Sequence, residues 1–121
     1  MNEDLRQKLM TIAVAAIADS NKELSILDKN LRPVRPGLKL VGPARTVRCH
    51  EDFLTIIQAL DNSEAGEVLV VDSCESTRAL IGELFTSEAL RRGLAGLIID
   101  GPVRDIESIR GLDIPVYARS F

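Results

Sequence analysis

Apolar side chains recur every three or four positions over residues 4–18, at Leu5, Leu9, Ile12, Ala13, Ala16 and Ile17. That spacing predicts one amphipathic helix ending near Asp19, Ser20 and Asn21. The period then lapses. Residues 28–39 hold Pro33, Pro36 and Gly37, and because each proline also constrains the residue before it, an extended connector is predicted there. A strand pair is expected next, residues 38–41 and 44–48, reversing at Gly42-Pro43. Residues 52–60 return to the helical period, with Phe53, Ile56, Ile57 and Leu60 on one face.

Beyond residue 66 the alternation becomes regular. Val68-Leu69-Val70-Val71 is short, wholly apolar and β-branched, the pattern of a strand covered on both faces. Residues 78–92 have helical composition, and Gly93 is placed to close that helix in the left-handed conformation. Leu97-Ile98-Ile99 reads as a second buried strand, 106–110 as a short helix and 115–118 as a third strand. The order β-α-β-α-β predicts an α/β fold with parallel strands and right-handed crossovers.

With 45% hydrophobic residues in 121, the chain can bury the core of one domain, and no repeat or composition shift divides it. A net charge of −3, few aromatics and no Lys/Arg cluster argue against nucleic acid as a partner. Cys49 and Cys74 lack any Cys-x-x-Cys spacing and His50 is alone, which excludes a zinc finger and is consistent with two inert, part-buried thiols in a reduced compartment. The longest apolar run, residues 12–18, is too short to span a bilayer, and no basic segment precedes it as in a signal peptide. A cytoplasmic protein without a membrane partner is expected.

Candidate chemistry lies in the two loops that follow the first two strands of the regular half, since α/β sheets bind ligands beyond their strand carboxyl ends. One is Asp72-Ser73-Cys74-Glu75-Ser76-Thr77-Arg78 onward to Gly82; the other is Asp100-Gly101-Pro102-Val103-Arg104-Asp105, where Asp100-Gly101 is a common turn pair. Two arrangements stay open at Gly82. If it caps a helix, the amides of Glu83, Leu84 and Phe85 form a carboxylate-sized anion site; if a single helix begins at Ser76, those amides are all bonded internally. Asp105 can cap the helix starting at Ile106, or serve as a hard oxygen ligand for Mg²⁺, with Arg104 neutralising a substrate carboxylate or enolate oxygen and Glu83 holding a water. No Gly-x-Gly-x-x-Gly follows a strand, no Gly-x-Ser-x-Gly elbow occurs, and all four lysines precede residue 40. Dinucleotide, S-adenosylmethionine, serine-nucleophile and Schiff-base chemistries are disfavoured accordingly.

The segments GPARTV (42–47), GEVLVVD (66–72), RALIGEL (78–84), RRGLAGLIIDGPVRD (91–105) and IPVYAR (114–119) together resemble the RraA-like family. That family includes 4-hydroxy-4-methyl-2-oxoglutarate aldolases with oxaloacetate decarboxylase activity and the regulator of ribonuclease E activity A. The resemblance implies a swivelling β/β/α domain spanning residues 1–121, with a βαβαβ parallel core and with further C-terminal strands in the relatives. It also implies a homotrimer or hexamer. The aldolase pattern, an acidic residue, twenty positions, then Arg-Asp, is met by Glu83 and Arg104-Asp105. By resemblance, Asp105 binds Mg²⁺ or another divalent cation such as Mn²⁺, Arg104 contacts the pyruvyl group, and Glu83 positions a catalytic water. Gly82 and the amides of Leu84 and Phe85 hold the carboxylate of a small 2-oxo acid. The implied activity is a class II aldolase/decarboxylase; the alternative is a non-catalytic regulator that binds ribonuclease E. Two departures stand out: Glu83 replaces an aspartate found in several aldolases, and Ser73-Cys74-Glu75 replaces a glycine-rich loop.

Overall fold

The computed structural model describes residues 1–121. Five strands form one sheet in the order β1-β5-β4-β3-β2, with β2 (Ala44–Arg48), β3 (Val68–Asp72), β4 (Gly96–Pro102) and β5 (Val116–Ser120) all parallel. The short β1 (Arg32–Pro33) is antiparallel to β5, inside the stretch expected to be a plain connector. Helices α3 (Phe53–Asn62), α4 (Glu83–Arg91) and α5 (Ile106–Arg110) supply the connections between the parallel strands. The β-α-β-α-β half is therefore present as the apolar pattern predicts. It represents one sheet and one helical layer of the expected β/β/α arrangement.

Alternation along the strands decides where the core lies. Leu69, Val71, Leu97, Ile99, Val116 and Ala118 are buried and cluster with Ile56, Leu60, Phe85, Ala89 and Ile109 of the three helices. Burying such aliphatic side chains stabilises by about 1.5–3 kcal/mol each. The intervening residues Val70, Ile98 and Tyr117 are only half-buried, so the expectation of strands covered on both faces holds on the helical side alone. A cavity of about 830 Å³ lies between Ile98 and Tyr117 and the N-terminal segment.

That segment corrects the prediction of one long helix. The chain forms α1 (Glu3–Thr11) and α2 (Val14–Ser20), separated by the extended residues Ile12 and Ala13. The Lys39 ammonium donates to the carbonyls of Met10 and Ile12, satisfying groups that a continuous helix would have bonded itself. Neither helix contains a fully buried residue. The expected strand at 38–41 is also absent. Leu40 packs instead over Gly96, and the Pro43 carbonyl accepts from the Val68 amide at 2.8 Å, so Gly42-Pro43 leads into the parallel β2–β3 ladder rather than reversing the chain.

Helix α4 ends as its glycine predicts. Gly93 takes φ +80°, its amide donates to Leu90 and that of Leu94 to Ala89, the paired bonds of a Schellman closure. Its start differs from the helix expected over residues 78–92. Residues 78–81 lie outside any helix, Ile81 bridges Val103 in parallel, and the helix begins at Glu83 with Gly82 as its cap. Of the two arrangements left open by the sequence, the glycine cap is the one observed.

Candidate active site

Three loops leave the carboxyl ends of β2, β3 and β4, and each contains non-glycine residues in the left-handed region: Glu51 at φ +52°, Cys74 and Glu75 at +53° and +63°, Asp105 at +60°. These are the only such residues in the chain. Backbone of this kind costs free energy and persists where surrounding contacts over-determine it. Here side chains tie the loops together. The Glu51 carboxylate accepts from the Thr77 amide and hydroxyl, which hold it below the ordinary carboxylate range. His50 Nδ1 lies 3.1 Å from the Cys74 carbonyl.

The β4 loop is not the tight turn suggested by Asp100-Gly101. The strand runs through both residues to Pro102, with a register irregularity between Ile99 and Pro102. Gly101 is needed for a different reason: a Cβ there would lie 2.7 Å from Ser73 Oγ. Ser73 is fully buried, donates to the Asp100 carbonyl and accepts from the Ser76 amide, which fastens the β3 loop to β4. Bonds from the Leu80 amide to Pro102 and from the Arg104 amide to Ile81, each 3.0 Å, extend that attachment to the start of α4.

Asp105 does not cap the helix that follows it, contrary to the simpler expectation. Its side chain makes no bond to the amides of α5. The left-handed backbone turns it across the loop, where Oδ2 accepts from the Glu83 amide at 3.1 Å. Gly82 has no side chain with which to cap α4, and Asp105 supplies the acceptor instead. The Gly82 carbonyl is held from the other side by the amide and hydroxyl of Thr86. A Cβ on Gly82 would lie 2.5 Å from Asp105 Oδ2 and 3.1 Å from Arg104 Nε. The glycine is a requirement of the site.

The pocket so formed, about 470 Å³, is lined by Gly82, Glu83, Leu84, Phe85, Arg104 and Asp105, the whole expected set, together with Glu51 and Arg78. Arg104 is exposed, with Nε 3.9 Å from Asp105 Oδ2. The amides of Leu84 and Phe85 have no protein acceptor, so the anion site allowed by the sequence exists as geometry. Glu83 Oε1 accepts from Ser87 one turn along the helix at 2.9 Å, and no ion pair joins it to Arg104. Sequence reasoning gave no role to Glu51, which stands in no quoted segment, or to Arg78, which opens the segment at 78–84 and lies in the candidate loop after β3 but carries no charge partner that sequence could show. The expectation of two part-buried thiols needs adjustment: Cys49 is buried, where desolvation raises its pKa, and Cys74 is exposed.

No three His, Cys, Asp or Glu side chains gather into a metal cage. The donor set does fit a hard cation that keeps several waters and takes only one or two carboxylates: Asp105 Oδ1 carries no hydrogen bond, and Oδ2 is oriented by Glu83. Three acids and two guanidinium groups line the pocket, a formal charge of −1.

Residues 14–121 match the family model described as RraA-like, Aldolase/RraA. A candidate 4-hydroxy-4-methyl-2-oxoglutarate aldolase of Halalkalibacterium halodurans is 32% identical over 118 residues, covering 96% of this chain and 56% of its own length. A protein of the same description from Burkholderia multivorans is 34% identical, covering 90% of this chain and 71% of its own. The chain thus spans little more than half of the first of these relatives. Among solved structures, the RNA-processing inhibitor RraA of Thermus thermophilus superposes with a TM-score of 0.83 at 30% identity, over 92% of this chain and 68% of that one. An S-adenosylmethionine:2-dimethylmenaquinone methyltransferase of Geobacillus kaustophilus gives 0.82 at 34%, over 90% and 69%.

Proposed function

Because the chain belongs to the RraA-like family, we propose that its carboxyl-end pocket cleaves a carbon–carbon bond of a small 2-oxo acid, releasing pyruvate, as a divalent-metal-dependent class II aldolase that also decarboxylates oxaloacetate. The observation that carries this is the convergence on Gly82: a carboxylate, a guanidinium and two unpaired amides surround one glycine that no larger residue could replace without displacing them.

Each group has a chemical task. The amides of Leu84 and Phe85 receive the C1 carboxylate at the positive end of α4. Asp105 would hold Mg²⁺ or Mn²⁺, which when bound supplies a Lewis acid beside the 2-oxo group. Arg104 stabilises the negative charge that develops on the enolate oxygen only as the bond breaks, the condition for lowering the barrier rather than merely binding. Glu83, half-buried on the first turn of α4, positions the water that moves the proton. Retro-aldol cleavage and decarboxylation pass through the same pyruvate enolate, so one pocket serves both. The candidate aldolases among the relatives favour this reading; the assembly proposed with it, a homotrimer or hexamer, is measured by light scattering of the purified chain.

Mixing the protein, Mg²⁺ and oxaloacetate tests the activity. Pyruvate release above the metal-only background is expected, falling roughly 10²–10³-fold in Arg104→Ala. No release, or release unchanged in that variant, rejects the proposal. The structural likeness to the Thermus RNA-processing inhibitor supports a second reading, a non-catalytic regulator. Capture of ribonuclease E by a protein carrying Asp105→Ala would favour it. The methyltransferase likeness gains no support from the loop after β3, Asp72-Ser73-Cys74-Glu75, which has no glycine-rich cofactor turn.

A further inference from the structure

Arg78 shares the pocket with Arg104 but has been given no task. Among the eleven arginines of the chain, it and Arg32 are the two without an ion pair, since the others each lie beside a carboxylate. Glu51, the acid of the same pocket that faces it, has its Oε1 committed to the amide and hydroxyl of Thr77. The backbone of Arg78 is nonetheless fixed. Its amide donates to Ser76 Oγ and its carbonyl accepts from that hydroxyl, both at 3.3 Å, while Ser76 hangs on buried Ser73 and so on β4. Two residues later the Leu80–Pro102 bond begins the short parallel ladder that ends at Arg104. A cation in no ion pair, felt by Glu51 only through its charge and carried on a pinned backbone in the lining of this pocket, is arranged to receive a charge from outside the protein.

We propose that Arg78 is a specificity-determining residue that reads the second carboxylate of a 4-hydroxy-2-oxo dicarboxylic acid. This rests on the aldolase reading above. The C1 carboxylate and 2-oxo group occupy the Gly82 end, by Arg104 and the amides of Leu84 and Phe85. The carboxylate on C4 points along the ladder toward Arg78. In cleavage the C3–C4 bond breaks, its electron pair becomes the C2–C3 double bond, and the C2=O π pair moves onto the oxygen beside Arg104 to give the enolate. The C4 hydroxyl proton passes to the water at Glu83, C4 becomes a ketone carbon, and protonation at C3 completes pyruvate. The C4 carboxylate keeps its charge throughout, so a guanidinium carried on a pinned backbone can hold it from ground state to product. Decarboxylation differs, because there the distal carboxylate must lose its charge.

Two substrates separate this role from a structural one. 4-Hydroxy-4-methyl-2-oxoglutarate gives two pyruvates; 4-hydroxy-4-methyl-2-oxopentanoate, with a methyl in place of the distal carboxylate, gives pyruvate and acetone. Arg78→Gln should lower kcat/KM on the dicarboxylate by roughly 10–100-fold, the usual worth of a hydrogen bond to a charged group, and leave the monocarboxylate within about twofold. Arg78→Lys should recover part of the loss. Equal losses on both substrates, or none on either, overturn the proposal. A binding comparison needs no turnover: with Mg²⁺ present, calorimetry should show 2-oxoglutarate preferred over 2-oxopentanoate by the wild-type chain and the preference abolished in Arg78→Gln. That result from a chain that cleaves neither hydroxy acid would sink the aldolase reading while upholding Arg78 as the carboxylate reader. Absence of any preference would sink Arg78's role whatever the activity.

Discussion

At Asp105 a left-handed backbone carries a carboxylate away from the helix it precedes and onto the amide of Glu83. Its geometry and charge can be separated by substitution. Asparagine tolerates the same backbone region and keeps an oxygen for the Glu83 amide, so Asp105→Asn should stay folded while affinity for Mn²⁺, followed by water-proton relaxation, falls at least about tenfold. Equal affinity in the variant would remove Asp105 from the metal site. At Gly82 the expected result is different. A methyl group 2.5 Å from Asp105 Oδ2 must displace it, and a misplacement near 1 Å costs about 100-fold in rate, so Gly82→Ala should lose pyruvate release on that scale with a melting temperature lower by only about 2–5 °C. Glu83, Arg104 and Asp105 were readable as candidates because they stand in or just after the loops beyond two strand carboxyl ends and meet the spacing that the family resemblance implies. The task of Asp105 toward α4 was not, because its acceptor role depends on a helix that begins 22 residues earlier. Arg78 escaped notice for a related reason: a cation is informative only when its lack of a partner can be seen.

Among the elements, α4 shows where local sequence suffices and where it fails. Its end is written locally in Gly93 and was legible. Its beginning was not, since Arg78-Ala79-Leu80-Ile81 has helical composition but is drawn into the ladder with Val103, a tertiary pairing that overrides propensity. The same logic explains the broken first helix, where a lysine 27 residues away takes the Ile12 carbonyl. Two measurements address these elements. Ser73→Ala removes a fully buried hydroxyl that bonds both the Asp100 carbonyl and the Ser76 amide, while the backbone bond from the Ser73 amide to Asp100 remains; urea unfolding should show a loss of about 0.5–1.5 kcal/mol per bond removed. Between α3 and α4, Glu88 is held by Arg91 and Arg92, with Arg92 also reaching Asp61. These guanidinium groups lower the Glu88 pKa from 4.5 to about 2. A carboxylate depressed in the folded state adds stability that is complete above its unfolded pKa and is lost as pH falls through the folded one. Stability of the native chain should therefore decline between about pH 4.5 and 2 more steeply than that of Glu88→Gln, as urea titrations across that window would show.

For the whole molecule, the two faces of the sheet are unequal. Leu97 is fully buried against the helices and Ile98 beside it is half-buried over the cavity. Leu97→Ala should cost about 2–5 kcal/mol, and Ile98→Ala markedly less; equal losses would mean that the second face is as well packed as the first. The parallel half of the fold was legible because its strands are short apolar runs at regular spacing. The N-terminal third was not, because its places are set by contacts with the far end of the chain: Arg32 pairs with Ala118, and the Val34 amide donates to Val116. That closure has a consequence for how the protein is made. Strand β1 leaves the ribosome 86 residues ahead of the partner it must join, from Arg32 to Ala118, a wait of about 4–17 s at ordinary translation rates. During that interval the nascent N-terminus has no seat of its own, and a chaperone or a neighbouring nascent chain would meet it before β5 does.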